Sequence, residues 1–107
     1  MALFMGVDVG TTNIAALIIK IPPGTIEAVS VVANDSEVTD ENGRMKGRSE
    51  WDAEKVTELT FKAIMETAAK VDAQRIEGIG VTGQMHGTVL LDRSLKPLRP
   101  AIIWADS

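Results

Sequence analysis

Apolar residues in this chain come in short runs broken by glycine, proline and polar punctuation, with one longer stretch at helical spacing. Leu3 to Val9 is an apolar run closed by Gly10, the pattern of a buried strand. Asn13 to Ile21 is a second run, and only Thr11 and Thr12 lie between Gly10 and Asn13, so the two strands are predicted to form a hairpin. Pro22-Pro23-Gly24 is strong turn punctuation, and Ile26 to Ala33, rich in β-branched residues, reads as a third strand of an antiparallel meander. Asn34 to Glu50 is polar, carries two glycines and has no period, which predicts an exposed loop.

Asp52 is a favoured N-cap, and Glu54 suits the first turn of a helix. Val56, Leu59, Ala63, Ile64 and Ala68 fall on one helical face, with Phe61 and Met65 expected close by, so a helix is predicted from Asp52 to about Lys70. Trp51, just before it, is placed to act as a hydrophobic staple. Ile76 to Val81, closed by Gly83, reads as a fourth strand, parallel to the first after the helical crossover. Thr88 to Leu91 reads as a short strand, Asp92-Arg93-Ser94 as a turn, and Ala101 to Trp104 as a last short strand. The order predicts an α/β domain on a mixed sheet. It excludes a Rossmann unit, in which the glycine loop would lead from a strand into a helix.

Composition narrows the class rather than the fold. At 107 residues there is room for one domain, with a core near the lower end of comfortable stability. A net charge of −4 with acids and bases interspersed argues against a nucleic-acid surface, and the basic trio Arg44, Lys46 and Arg48 reads as a solvated loop. The absence of cysteine removes disulfides and thiolate metal sites. No segment has the length and apolarity of a membrane span, and Met1 to Met5 lacks the features of a signal peptide, so a cytoplasmic setting is expected.

Two glycine-framed strings carry the candidate chemistry. The first is Gly6-Val7-Asp8-Val9-Gly10-Thr11-Thr12-Asn13. A carboxylate in an apolar strand is costly unless it is exposed, paired or on a metal. Asp8 therefore either caps the strand's exposed end or contacts Mg²⁺, which prefers one or two carboxylates together with phosphate and water. Thr11 and Thr12 offer hydroxyls and backbone N–H groups at a tight turn that can form an anion nest, or they reflect β-propensity alone.

The second string is Gly83-Gln84-Met85-His86-Gly87. Gln84 brings donors and an acceptor, Met85 an adaptable apolar surface and His86, the sole histidine, a donor/acceptor ring. That mix suits a polyhydroxylated ligand, although a lone histidine is more often a packing or surface residue. An indole face at Trp104 and a carboxylate at Asp106 extend the same idea, against core packing and a surface turn as their ordinary roles.

Taken together, Gly6 to Thr12, Gly83 to Gly87 and Ile103-Trp104-Ala105-Asp106 resemble the start of the FGGY carbohydrate kinases in order and spacing, over essentially the whole chain. The first string alone would indicate only the wider actin-like ATPase superfamily. The Gln-Met-His-Gly string is typical of xylulokinases and of sedoheptulokinase-like members, whereas glycerol kinases usually carry an arginine-containing string there.

The resemblance implies an actin-like (ribonuclease H-like) ATPase domain and transfer of the γ-phosphoryl of ATP to a sugar hydroxyl with Mg²⁺. Asp8 would be the metal and phosphate carboxylate, and Thr11 and Thr12, with Asn13 beside them, the phosphate-facing turn. Met85 and His86 would contact the sugar, with Gln84, Trp104 and Asp106 near the same pocket. Members run to roughly five hundred residues, a length that implies more than one domain. Residues 1–107 are therefore expected to be part of the first of two domains, with the catalytic base and the adenosine contacts outside them. Self-association of such a piece is expected. Two other readings stay open: a non-catalytic actin-like protein that uses nucleotide as a signal, and a truncated stand-alone binding domain.

Overall fold

The computed structural model describes residues 2–38, 50–83 and 90–102. Within them run β1 (Ala2–Val9), β2 (Asn13–Ile21), β3 (Thr25–Ala33), β4 (Glu50–Trp51), α1 (Ala53–Ala68), a single 3₁₀ turn (Ala73–Arg75), β5 (Ile76–Thr82) and β6 (Ala101–Ile102). The chain divides into two compact units, residues 1–34 with 59–83, and residues 35–58 with 84–107, the division falling inside α1.

The first unit is a four-stranded sheet in the order β3-β2-β1-β5. β1 pairs antiparallel with β2, and β2 with β3, while β5 lies parallel to β1 after the helical crossover, as the order of apolar runs predicts. Alternation along the strands decides which face is dry. Leu3, Met5 and Val7 of β1, Ile14, Ala16 and Ile18 of β2, and Ala28 and Val32 of β3 form the core with Ala63 of α1. Leu59, Ile64, Ala68, Val71 and Ile76 pack around it. Gly6 and Asp8 take the opposite face by the same period of two. At the rim, Lys20 Nζ lies 3.2 Å from Glu27 Oε1, which with the Thr25 hydroxyl holds the Glu27 carboxyl below the usual carboxylate range.

The helix is built as expected at its start and differently along its length. Asp52 Oδ1 accepts from the backbone N–H groups of Glu54 and Lys55, the N-cap geometry. Phe61 and Met65 do not join the core face and are 61% and 67% exposed. Each stands two residues from Ala63, roughly 200° around the helix from it. Thr67 is fully buried instead, and its hydroxyl donates to the Ala63 carbonyl at 2.7 Å.

In the second unit the polar stretch before the helix is not all loop. Glu50 and Trp51 form β4, paired antiparallel with Ala101 and Ile102 of β6, and Glu37 bridges to Trp51. Trp51, expected only to staple the helix start, is a buried strand residue. The Ser36 carbonyl accepts from Asp52 N at 2.8 Å, and Lys55 Nζ lies 3.3 Å from Asp35 Oδ1.

The predicted strand Thr88 to Leu91 is represented only by Leu91, which makes an isolated bridge to Pro97, while Thr88 and Val89 lie outside the described residues. The turn at Asp92 is present. Asp92 Oδ1 accepts from Ser94 N and Lys96 N, and Leu95 takes a left-handed φ of 63°. Of the last predicted strand, Ala101 and Ile102 are seen, and Ile103 and Trp104 lie outside the described residues. No helix among the described residues is long and apolar enough to cross a membrane.

Candidate functional site

Asp8 stands at the carboxyl end of β1, paired with Ala15 of β2 on one side and Thr82 of β5 on the other. Because Met5 and Val7 point into the core, the alternation turns the Asp8 carboxylate to the uncovered face, where it is exposed rather than buried. That placement removes the desolvation cost an apolar strand would otherwise impose. Asp8 borders a shallow concavity of about 500 Å³ on this face, walled mainly by Gly6, Ala15, Leu17, Val29, Gly80 and Thr82. Gly6 and Gly80 sit opposite one another in the parallel register, and a Cβ on either would meet nothing within 4 Å.

Immediately after β1 the chain reverses through Thr11 and Thr12, both exposed, into Asn13. The reversal is closed by a hydrogen bond from Gly10 N to the Asn13 carbonyl at 2.9 Å. Glycine is required there, since a Cβ on Gly10 would lie 2.7 Å from that carbonyl oxygen. Asn34, just past β3, reaches the same turn twice. Its backbone N–H donates to the Thr12 carbonyl at 2.8 Å, and its Nδ2 donates to the Gly10 carbonyl at 2.8 Å. Sequence reading missed Asn34. An asparagine after a strand looks like turn punctuation until β3 is laid beside the hairpin.

The structure therefore brings Asp8, Thr11, Thr12 and Asn13 to one end of the β1–β2 hairpin. Among the described residues no group of three or more His, Asp or Glu side chains gathers as a metal cage. A single exposed carboxylate beside hydroxyls and turn amides fits a hydrated Mg²⁺ that takes its remaining ligands from phosphate and water, and does not fit an all-protein site. Gln84, Met85, His86, Trp104 and Asp106 lie outside the described residues, as does the basic trio at 44, 46 and 48. Gly83, which leads from β5 toward the first three, is exposed, and a Cβ there would make an ordinary 3.5 Å contact with the Val9 Cβ.

An antiparallel meander followed by a helical crossover to a parallel strand, with a tight glycine turn after the first strand, is the arrangement of the actin-like ATPases. Within that class, the model described as the FGGY family of carbohydrate kinases, N-terminal domain, matches residues 3–107, and the chain belongs to this family. A xylulose kinase from Klebsiella pneumoniae is 35% identical over 104 residues, which are 97% of this chain and 20% of that protein. The crystal structure of xylulose kinase from Rhodospirillum rubrum superposes with a TM-score of 0.83 at 26% identity, over 98% of this chain and 21% of that one. Gluconate kinase from Lactobacillus acidophilus superposes with a TM-score of 0.82 at 25% identity, over 98% of this chain and 20% of that one. The chain thus spans about a fifth of the length of these proteins.

Proposed function

We propose that this chain is the N-terminal part of an ATP-dependent sugar kinase that phosphorylates a hydroxyl of a ketose, xylulose being the favoured substrate. The observation that carries the reading is the position of Asp8. It is an exposed carboxylate near the end of β1, two residues before the Gly10 to Asn13 turn begins, in a chain whose family match runs from residue 3 to residue 107. The identity to a xylulose kinase along 97% of the chain supports xylulose over other sugars. The fold by itself does not, because a gluconate kinase shares it.

In this reading Asp8 holds Mg²⁺, and the amides and hydroxyls of Thr11 and Thr12, with Asn13 beside them, bind the phosphates of ATP. Bound Mg²⁺ supplies neutralisation of charge on the phosphate oxygens, the main requirement of phosphoryl transfer. The concavity beside Asp8 is walled mainly by apolar and glycine residues, with Thr82 the one hydroxyl among the described lining residues, so negative charge on a ligand there would be met chiefly by the metal that Asp8 holds and by the turn. Met85 and His86 bind the sugar, with Gln84, Trp104 and Asp106 near the same pocket. The acceptor hydroxyl must lose a proton, and the base that takes it is expected beyond residue 107. The chain alone therefore binds ligands and does not turn over, and it associates with itself through the uncovered sheet face. A cytoplasmic setting, where ATP and free ketose meet, belongs to the same reading.

The test is a coupled assay of the complete kinase carrying this chain, with ATP, Mg²⁺ and a panel of ketoses and sugar acids. ADP release that depends on xylulose is expected. Turnover with sugar acids and none with ketoses would overturn the substrate, and nucleotide binding without turnover of any sugar would favour a signalling actin-like protein.

A further inference from the structure

Asn34 makes two hydrogen bonds that bracket Thr11. Nδ2 donates to the Gly10 carbonyl and the backbone N–H donates to the Thr12 carbonyl, each at 2.8 Å. Their effect follows from the planarity of the trans peptide, in which the C=O and the next N–H point in opposite directions. With the Gly10 oxygen held toward Asn34, the Thr11 N–H is turned away from it. With the Thr12 oxygen held the same way, the Asn13 N–H is turned away too. The Gly10 N–H is committed to the Asn13 carbonyl at 2.9 Å, which locks the ends of the turn together. One residue at the far end of the meander thus fixes the orientation of two peptide groups, the Gly10–Thr11 peptide through its side chain and the Thr12–Asn13 peptide through its backbone N–H, and both N–H groups are turned to the side opposite β3. Backbone N–H groups aimed to one side of a turn make an anion-binding concavity.

We infer that Asn34 is a positioning residue for the phosphates of the nucleotide, acting through the peptides that follow Gly10 and Thr12 without touching the ligand. This rests on the sugar-kinase reading only for the identity of the anion. The chemistry of the side chain makes the assignment testable. An aspartate has the same shape, but its carboxylate cannot donate, and it would set an acceptor against the Gly10 carbonyl oxygen. That clash disfavours the ionised form and raises its pKa, so the donor returns when the carboxyl is protonated.

The experiment compares Asn34→Ala and Asn34→Asp with the parent sequence in the complete kinase. Steady-state kinetics for both substrates, calorimetric titration with Mg·ATP and thermal unfolding are measured between pH 7.5 and 5.5. At pH 7.5 both substitutions are expected to raise the KM and Kd for ATP about tenfold or more, with the KM for sugar changed less than twofold. As the pH falls, Asn34→Asp recovers ATP affinity relative to the parent and Asn34→Ala does not. Equal losses toward sugar and ATP, or a lowered Tm with ATP affinity intact, would make Asn34 a general structural residue and overturn the inference. So would an Asn34→Asp profile parallel to that of Asn34→Ala. If the parent turns over no sugar yet binds Mg·ATP, the calorimetric arm still decides the role of Asn34 while the kinase reading falls. Absence of nucleotide binding in the parent overturns both.

Discussion

Gly10 and Asn13 face each other across the two-threonine turn so closely that a single added carbon on Gly10 would lie 2.7 Å from the Asn13 carbonyl oxygen. The obstructing atom is backbone, so no rotamer change relieves it. Gly10→Ala must open the turn, weakening both the bond from Gly10 N to Asn13 and the bond from Asn34 Nδ2 to the Gly10 carbonyl. A loss of about 1–3 kcal/mol is expected by urea unfolding. Gly6→Ala is the control. Its Cβ would meet nothing within 4 Å, so its stability should stay within about 0.5 kcal/mol of the parent.

Asp8→Ala in the complete kinase is expected to lower kcat by on the order of 10²-fold or more, while sugar binding stays largely intact. The carboxylate is exposed and adds nothing to the core, so the Tm should hardly move. Kinetics paired with a sugar titration check this. Near-normal turnover would remove Asp8 from the metal and leave it as a strand-end residue.

His86→Ala should act on the other substrate. The KM for sugar is expected to rise by the loss of one hydrogen bond to a hydroxyl, about 1–3 kcal/mol, with the KM for ATP nearly unchanged. Isothermal titration with candidate ketoses measures it, and an unaltered sugar affinity would return His86 to an ordinary surface or packing role.

Asp52→Ala should cost about 1 kcal/mol of stability, because two backbone N–H groups at the start of α1 lose their acceptor. Asn, which keeps a side-chain oxygen at that position, should recover most of it. Chemical denaturation of the two variants side by side makes the comparison.

These positions differ in how far they could be read before the structure. The hairpin was legible because two apolar runs flank a two-residue gap, and the cap because Asp52 precedes a helical period. The face on which Asp8 sits follows from the period of two along Leu3, Met5 and Val7. The continuous apolar run hid that alternation, because the residues between them on the open face are Phe4 and Gly6 rather than polar ones. Three features were not legible. β4 and β6 are two residues each and meet from distant parts of the chain, too short for any period to show. Thr67 is buried because its hydroxyl bonds to the turn below it, which a count of apolar residues cannot register. Asn34 reaches carbonyls 22 and 24 residues away (Thr12 and Gly10), a relation that exists only once β3 closes the meander.

The last prediction concerns the chain by itself. Opposite its core, the sheet of the first unit leaves Leu17, Val29 and Val31 at 37%, 45% and 59% exposure, beside the open Gly6–Gly80 pair. An exposed apolar face of this kind is a docking surface. β3, at one end of the described sheet order, adds a row of backbone groups able to pair with another strand. A core of this size has little stability to spare, so covering the face should raise the Tm with protein concentration. The 107-residue chain is therefore expected to sediment as a dimer or larger assembly at tens of micromolar. Val31→Lys places a charge on the edge-strand side of that face without touching the core, because Val31 points away from Ser30 and Val32. It should shift the chain toward monomer at unchanged secondary structure by circular dichroism. A parent chain that sediments as a monomer across this range, with a concentration-independent Tm, would show that the sheet face is stable uncovered.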